Sequence, residues 1–142
     1  MSTARDIMHP GADCVDEGQT LADAARMMAE RQVGSLPICG SDQKLTGIIT
    51  DRDIVVRCIA EGRDPNEVKA GELANGELAW VRGDADQGEV VSLMRDRKIR
   101  RVPVIDNRQL VGMISEADLA AHLDDESLTA YVQDVYGAPP NN

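Results

Sequence analysis

The chain carries one pattern twice, and that limits its fold more than any other feature. Ala4 to Asp42 aligns with Ala70 to Arg108 at a spacing of 66, and Leu45 to Ile54 aligns with Leu110 to Leu119 at a spacing of 65. A unit of about 60 residues buries too little surface to be comfortable alone. Two copies are therefore expected to share a core and meet face to face, with the functional residues in the cleft where they meet.

The duplication divides the 142 residues into a first repeat at 4–62, a linker at 63–69, a second repeat at 70–124, and a short helix with a loose tail at 125–142. Each half reads strand, helix, strand, strand, helix. This is an α/β (α+β) pattern of tandem repeats related as a pseudo-two-fold pair. Short strands are expected around Cys14-Val15 and Trp80-Val81. Thr20 and Asp86 each stand three residues before an acid, Asp23 and Glu89, which is the spacing of a helix capping box. Behind these caps, Leu21, Ala24, Ala25 and Met28, and likewise Val90, Val91 and Met94, recur at three- and four-residue intervals, so each helix buries one face.

Two apolar runs joined by turn residues follow in each half. The first pair is Leu36 to Cys39 and Leu45 to Thr50; the second is Val102 to Ile105 and Leu110 to Ser115. Pro37 and Pro103 cannot donate a ladder hydrogen bond, so each is expected at a strand beginning or edge, with open backbone beside it. A closing helix starts at Asp51 and at Glu116. In the tail, Leu128, Tyr131, Val132, Val135 and Tyr136 fall on one face of a last helix that packs on the body or on a second copy, and Pro139 to Asn142 are expected to be loose.

Charge narrows the choice of partners. With 25 acids against 15 bases the net charge is −10, so general attraction to nucleic acid or to an anionic membrane is not expected. No apolar run approaches the roughly 18 residues a membrane span needs. The opening Met1-Ser2-Thr3-Ala4-Arg5-Asp6 lacks the features of a secretion signal, and a cytoplasmic home is the expectation. Against this acidic background, Arg95 to Arg101 packs five bases and one acid into seven residues. Either a local anion site is present, or Arg95 to Lys98 ends a helix and complements its negative pole.

Three cysteines without a secretion signal do not suggest a disulfide framework. Cys58, in an apolar run, reads as a core residue. Cys14 and Cys39 each fall on an expected strand of the first repeat. They are either bridged, which requires Cα atoms within about 7 Å, or two buried thiols. No zinc-ligand spacing is present, no metal site is expected, and His9 and His122 read as lone surface residues.

The segments Gly47-Ile48-Ile49-Thr50-Asp51-Arg52-Asp53 and Gly112-Met113-Ile114-Ser115-Glu116-Ala117-Asp118, with Leu36-Pro37-Ile38 and Val102-Pro103-Val104 upstream, resemble the CBS domain. That module nearly always occurs in pairs. The resemblance spans residues 4 to 123 and implies a ligand-sensing or interaction module that binds adenosine-containing ligands between its two members. It maps ribose and phosphate contacts onto Thr50 with Asp53 and Ser115 with Asp118, places the residues beside Pro37 and Pro103, among them Val104, against the base, and assigns phosphate to Arg100 and Arg101. Gly34 and Ser35 lack that charge, so the second repeat is the better anion site. It also implies a homodimer of two stacked pairs.

The chemistry is reasonable, since an ionised carboxylate accepts two hydroxyl hydrogen bonds and so suits a diol. The same Thr-x-x-Asp and Ser-x-x-Asp spacing is also that of a capping box, in which each acid folds back onto its own helix start. No catalytic constellation is found and no cofactor is required, with AMP, ADP or ATP as the candidate ligands. Output would pass to a separate, unknown protein partner. The alternatives are a ligand-free structural or stress-response protein and a thiol-based redox sensor using Cys14 and Cys39.

Overall fold

A computed structural model describes residues 2–11, 13–74 and 79–137. The expected loose segment, Pro139 to Asn142, lies outside the described residues. The chain divides into two compact lobes. The first lobe is Asp13–Leu78, and the second combines Met1–Ala12 with Ala79–Asn142.

The first lobe is a three-stranded sheet of β2 (Val15–Asp16), β3 (Ser35–Cys39) and β4 (Leu45–Thr50), with β3 in the middle. Helix α2 (Leu21–Arg31) connects β2 to β3. Thr20 caps it as the spacing predicts: its Oγ1 accepts from Asp23 N at 3.2 Å, and its own N–H donates to Asp23 Oδ2 at 3.1 Å. A cap of this kind stabilises a helix by about 1 kcal/mol. Leu21, Ala24 and Met28 turn inward, while Ala25 stays exposed, so the buried stripe is narrower than the periodicity suggests. Helix α3 (Asp51–Ile54) runs into a π-helical turn, Val55–Ile59, which buries Cys58.

The second lobe contains β5 (Arg101–Asp106) and β6 (Gln109–Ser115), joined by a two-residue turn. Asn107 and Arg108 both have positive φ, the backbone that matches the twist of a tight hairpin. Helix α4 (Gln87–Arg97) precedes this hairpin and α5 (Glu116–His122) follows it. The strand expected at Trp80-Val81 is reduced to a single parallel bridge from Val81 to Val104. Helix α6 (Asp125–Tyr136) buries Tyr131 and Val135 as the tail pattern predicts, but Val132 and Tyr136 are exposed.

Pro37 and Pro103 are the third residues of β3 and β5, not their first. Pro37 lies on a central strand, just before the point where β2 begins to pair at Val15 and Ile38. Pro103 is on an edge strand, and its carbonyl accepts from Val81 N at 3.0 Å. Both positions avoid the missing donor in different ways.

The two repeats exchange their opening residues. Ala4 N donates to Ala85 O at 2.7 Å and Arg5 N to Gly83 O at 3.0 Å. In the other lobe, Ala70 N donates to Gln19 O at 2.7 Å and Gly71 N to Glu17 O at 3.0 Å. These are the same two bonds, displaced by 66 residues at donor and acceptor alike. Helix α1 (Ala4–Ile7) and strand β1 (His9–Pro10) thus belong to the second lobe, and the 3-10 turn Ala70–Leu73 to the first. Each lobe has its own cluster of buried apolar side chains where the repeat length had argued for a shared core. The borrowed segments supply part of each: Ala4 and Ile7 in one, Ala70 and Leu73 in the other. The stretch 63–69 is also more than a tether, because Val68 is buried and its carbonyl accepts from Leu21 N at 2.9 Å.

Candidate functional site

In the second lobe, β6 ends at Ser115 and delivers it to the start of α5, with Asp118 one turn further on. Ser115 N and Ser115 Oγ both donate to Asp118 Oδ2, at 2.8 and 3.1 Å. The other carboxylate oxygen, Oδ1, is met by Nδ1 of His9 on β1. Asp118 is 5% exposed, the single buried charged residue among the described residues. Its carboxylate is held by partners on two elements, as a buried charge requires. His122 Nδ1 meets the Asp118 carbonyl at 2.9 Å, so both histidines that read as lone surface residues gather around this aspartate.

Arg101 begins β5 directly opposite Ser115 in the sheet register. Half-buried, its guanidinium makes no hydrogen bond or ion pair among the described residues. Arg100 is placed differently, with its guanidinium 4.8 Å from the centre of the Tyr136 ring on α6. The Tyr136 hydroxyl donates to the Glu116 carboxylate at 2.7 Å, and burial together with that carboxylate raises its pKa. Pro103 is buried two residues further along β5, and Val104 turns its side chain fully into the lobe core.

The rest of the basic run ends a helix. Arg95 and Arg97 lie in the last turn of α4, and Lys98 takes the left-handed conformation that terminates it. Arg95 Nε pairs with Asp134 of α6 at 2.6 Å. The Tyr131 hydroxyl donates to Ile99 O at 2.9 Å, and burial pushes that phenol well above its ordinary pKa. The segment between α4 and β5 is therefore clasped by α6 while Arg101 stays uncommitted.

In the first lobe, Thr50 Oγ1 accepts from Asp53 N at 3.0 Å, and Thr50 N donates to Asp53 Oδ2 at 2.9 Å. This is a reciprocal capping box. Cys39 ends β3 and Cys14 immediately precedes β2, and the two form a disulfide with Cα atoms 5.7 Å apart, closing a sequence separation of 25. Cys58 is the free, buried cysteine, and its Sγ contacts Arg63 O at 3.4 Å. Among the described residues, no group of three or more His, Cys, Asp or Glu side chains is placed to hold a metal ion.

The sequence reading missed His9 and Tyr136. No short-range spacing relates His9 to Asp118 or Tyr136 to Arg100. The one available signal was the repeat itself, since a segment that opens a repeat can be lent to its twin.

Two lobes built from one repeated hairpin-and-helix unit, each with a hydroxyl and an acid at the start of its closing helix, define a tandem CBS pair. The CBS domain model matches residues 4–59 and 70–125, and the chain belongs to this family. It is 47% identical over 133 residues to hypoxic response protein 1 of Mycobacterium tuberculosis, covering 94% of this chain and 93% of that protein. Among solved structures, hypoxic response protein I with two coordinated zinc ions matches with a TM-score of 0.80 and 49% identity, over 87% of this chain and all of that one. A hexameric CBS-CP12 protein from bloom-forming cyanobacteria matches with a TM-score of 0.74 and 29% identity, covering 84% of this chain and 67% of that one. Among the described residues no helix is long and apolar enough to cross a membrane.

Proposed function

We propose that this chain is a non-catalytic sensor that binds an adenine nucleotide, AMP, ADP or ATP, at the second lobe. Asp118 accepts the ribose hydroxyls, Ser115 and Arg101 receive the phosphate with Arg100 beside them, and the backbone near Pro103 and Val104 borders the base. Thr50 and Asp53 form the weaker counterpart, with no cation in register. The observation that carries this reading is Arg101. It is a half-buried guanidinium without a hydrogen bond or ion pair among the described residues, opposite Ser115 in the sheet register, and Ser115 is itself one helical turn from the buried Asp118 carboxylate. A guanidinium there suits phosphate, and a carboxylate suits a diol.

The sensor acts as a homodimer in the cytoplasm and passes its state to a separate protein. Exposed Val55, Val56 and Ile59 on the turn after α3 support the dimer, because monomers seldom expose neighbouring large apolar side chains without a partner. The likeness to hypoxic response protein 1 supports a stress-response setting for such a sensor. A thermal-shift panel of AMP, ADP, ATP, S-adenosylmethionine and NAD tests the reading. A bound nucleotide at a hundred-fold excess over Kd stabilises the fold by about 2.7 kcal/mol. No shift with any nucleotide would favour a ligand-free stress protein.

The Cys14–Cys39 bridge favours a second reading, a redox sensor whose first lobe loosens on reduction. Thiol labelling before and after mild reductant tests it. Labelling of Cys14 and Cys39 only after reduction, at potentials a cell can reach, would support the switch.

A further inference from the structure

The two oxygens of Asp118 are committed in different ways. Oδ2 takes both Ser115 bonds, which belong to the start of α5 itself. Oδ1 is held by His9, from β1. A vicinal diol brings two hydroxyl donors to a carboxylate, and an oxygen that already accepts two hydrogen bonds has little capacity left. Oδ1 is the oxygen a ribose must reach, and His9 occupies it.

The segment that carries His9 is lightly held. Strand β1 has two residues, with His9 opposite Met113 and Pro10 opposite Gly112, and Gly11 N donates to Val111 O at 2.9 Å. His9, Pro10 and Gly11 are all exposed, and the His9 side chain keeps 76% of its surface in water. A carboxylate–imidazole contact with one partner so exposed contributes little net stability. Helix α1, immediately before it, is firmly anchored: Ala4 and Ile7 lie in the lobe core, and Ala4 N and Arg5 N donate to Ala85 O and Gly83 O. The chain thus has a fixed point at α1 and a weakly docked strand beyond it.

We propose that His9 and the ribose diol compete for Asp118 Oδ1, so that nucleotide binding displaces β1 from β6 while α1 stays in place. The freed His9–Gly11 segment is the signal the sensor sends. A ligand can drive such a change only through its different affinity for the two states, and here that difference is access to one carboxylate oxygen. The proposal rests on the nucleotide reading above and names how that site is regulated.

The test combines calorimetry with AMP and hydrogen exchange on the wild-type chain, His9→Ala and His9→Gln. Without ligand, His9→Ala should exchange faster at the His9–Gly11 backbone while α1 keeps its protection. Its affinity for AMP should rise about two- to fivefold, the range such an exposed side-chain pair can supply. His9→Gln, which keeps a neutral donor, should fall between the two. In the wild type, AMP should speed exchange at Gly11 and leave α1 unchanged. Binding of AMP with equal affinity in all three proteins, or slower exchange at Gly11 when AMP is bound, would overturn the competition and leave the nucleotide site standing. If AMP binds none of them, the site reading itself falls and the competition with it. Unaltered exchange of the ligand-free His9→Ala protein would show that His9 does not hold the strand.

Discussion

His9 and Asp118, 109 positions apart in sequence, meet through Nδ1 and Oδ1 in a side-chain contact that ties strand β1 to the start of helix α5. The pair exists because the opening of the first repeat folds into the lobe made by the second. It turns a helix-capping acid into a junction between two segments, and it lies at the carboxylate that the family resemblance assigns to ribose.

Gly112 makes that docking possible. A Cβ at this position would lie 2.6 Å from the His9 carbonyl oxygen and also strike the Met8 side chain. Gly112→Ala should therefore push β1 off β6 and destabilise the second lobe by about 1–3 kcal/mol. Urea unfolding together with proteolysis near Gly11 checks both effects.

The disulfide closes a loop of 25 residues in the first lobe. Loop entropy of that size corresponds to about 3–4 kcal/mol. Cys14→Ser in the purified protein should lower the urea midpoint accordingly and leave Cys58 unreactive to thiol reagents until the lobe unfolds. Early labelling of Cys58 would mean that the bridge also protects the core around it.

Asp106 accepts from Gly83 N at 2.9 Å and from the Arg5 guanidinium at 2.6 Å, and these two bonds hold its carboxyl below the ordinary value of 3.8. A depressed folded-state pKa means that the stabilisation is complete above the unfolded value and is lost as pH falls through the folded one. Asp6, Asp23, Glu72 and Asp124 are lowered in the same direction by backbone donors. Stability should drop with acid from about pH 5 downward, and Asp106→Asn should flatten only part of that slope. Urea midpoints measured across that range decide it.

The exposed triplet on the turn after α3 is where the proposed dimer can be tested. Val55 and Ile59 are 58% and 53% exposed. Ile59→Asp should convert the proposed dimer to a monomer in light scattering and leave the far-UV circular dichroism of the chain unchanged, since about half of that side chain already faces water. A wild-type chain that runs as a monomer at every concentration would remove the dimer.

Much of this architecture was legible because it depends on local pattern. The Thr20 cap, the stripe of Leu21, Ala24 and Met28, the paired hairpins and the helix starts at Asp51 and Glu116 all follow from spacings of two to four residues. The exchange of opening segments was not legible in that way. Ala4 and Ala70 read identically whether each packs on its own repeat or on the other, because the repeats are alike. The same ambiguity hid His9. It also blurred Ser115 and Asp118, whose spacing fits a helix cap and a ribose contact equally, and in this structure the capping bonds are made. Trp80 and Val81 suit a strand by propensity, but only Val81 pairs, in a single bridge to Val104, because β-propensity depends on packing context.

Isothermal titration of AMP into the wild-type chain, Asp118→Asn and Asp53→Asn tests the central claim most directly. The second-lobe site predicts that Asp118→Asn weakens binding about tenfold or more, the value of a hydrogen bond to a charged group, and that Asp53→Asn changes it far less. Equal affinity for Asp118→Asn and wild type, or a larger loss at Asp53, would contradict it.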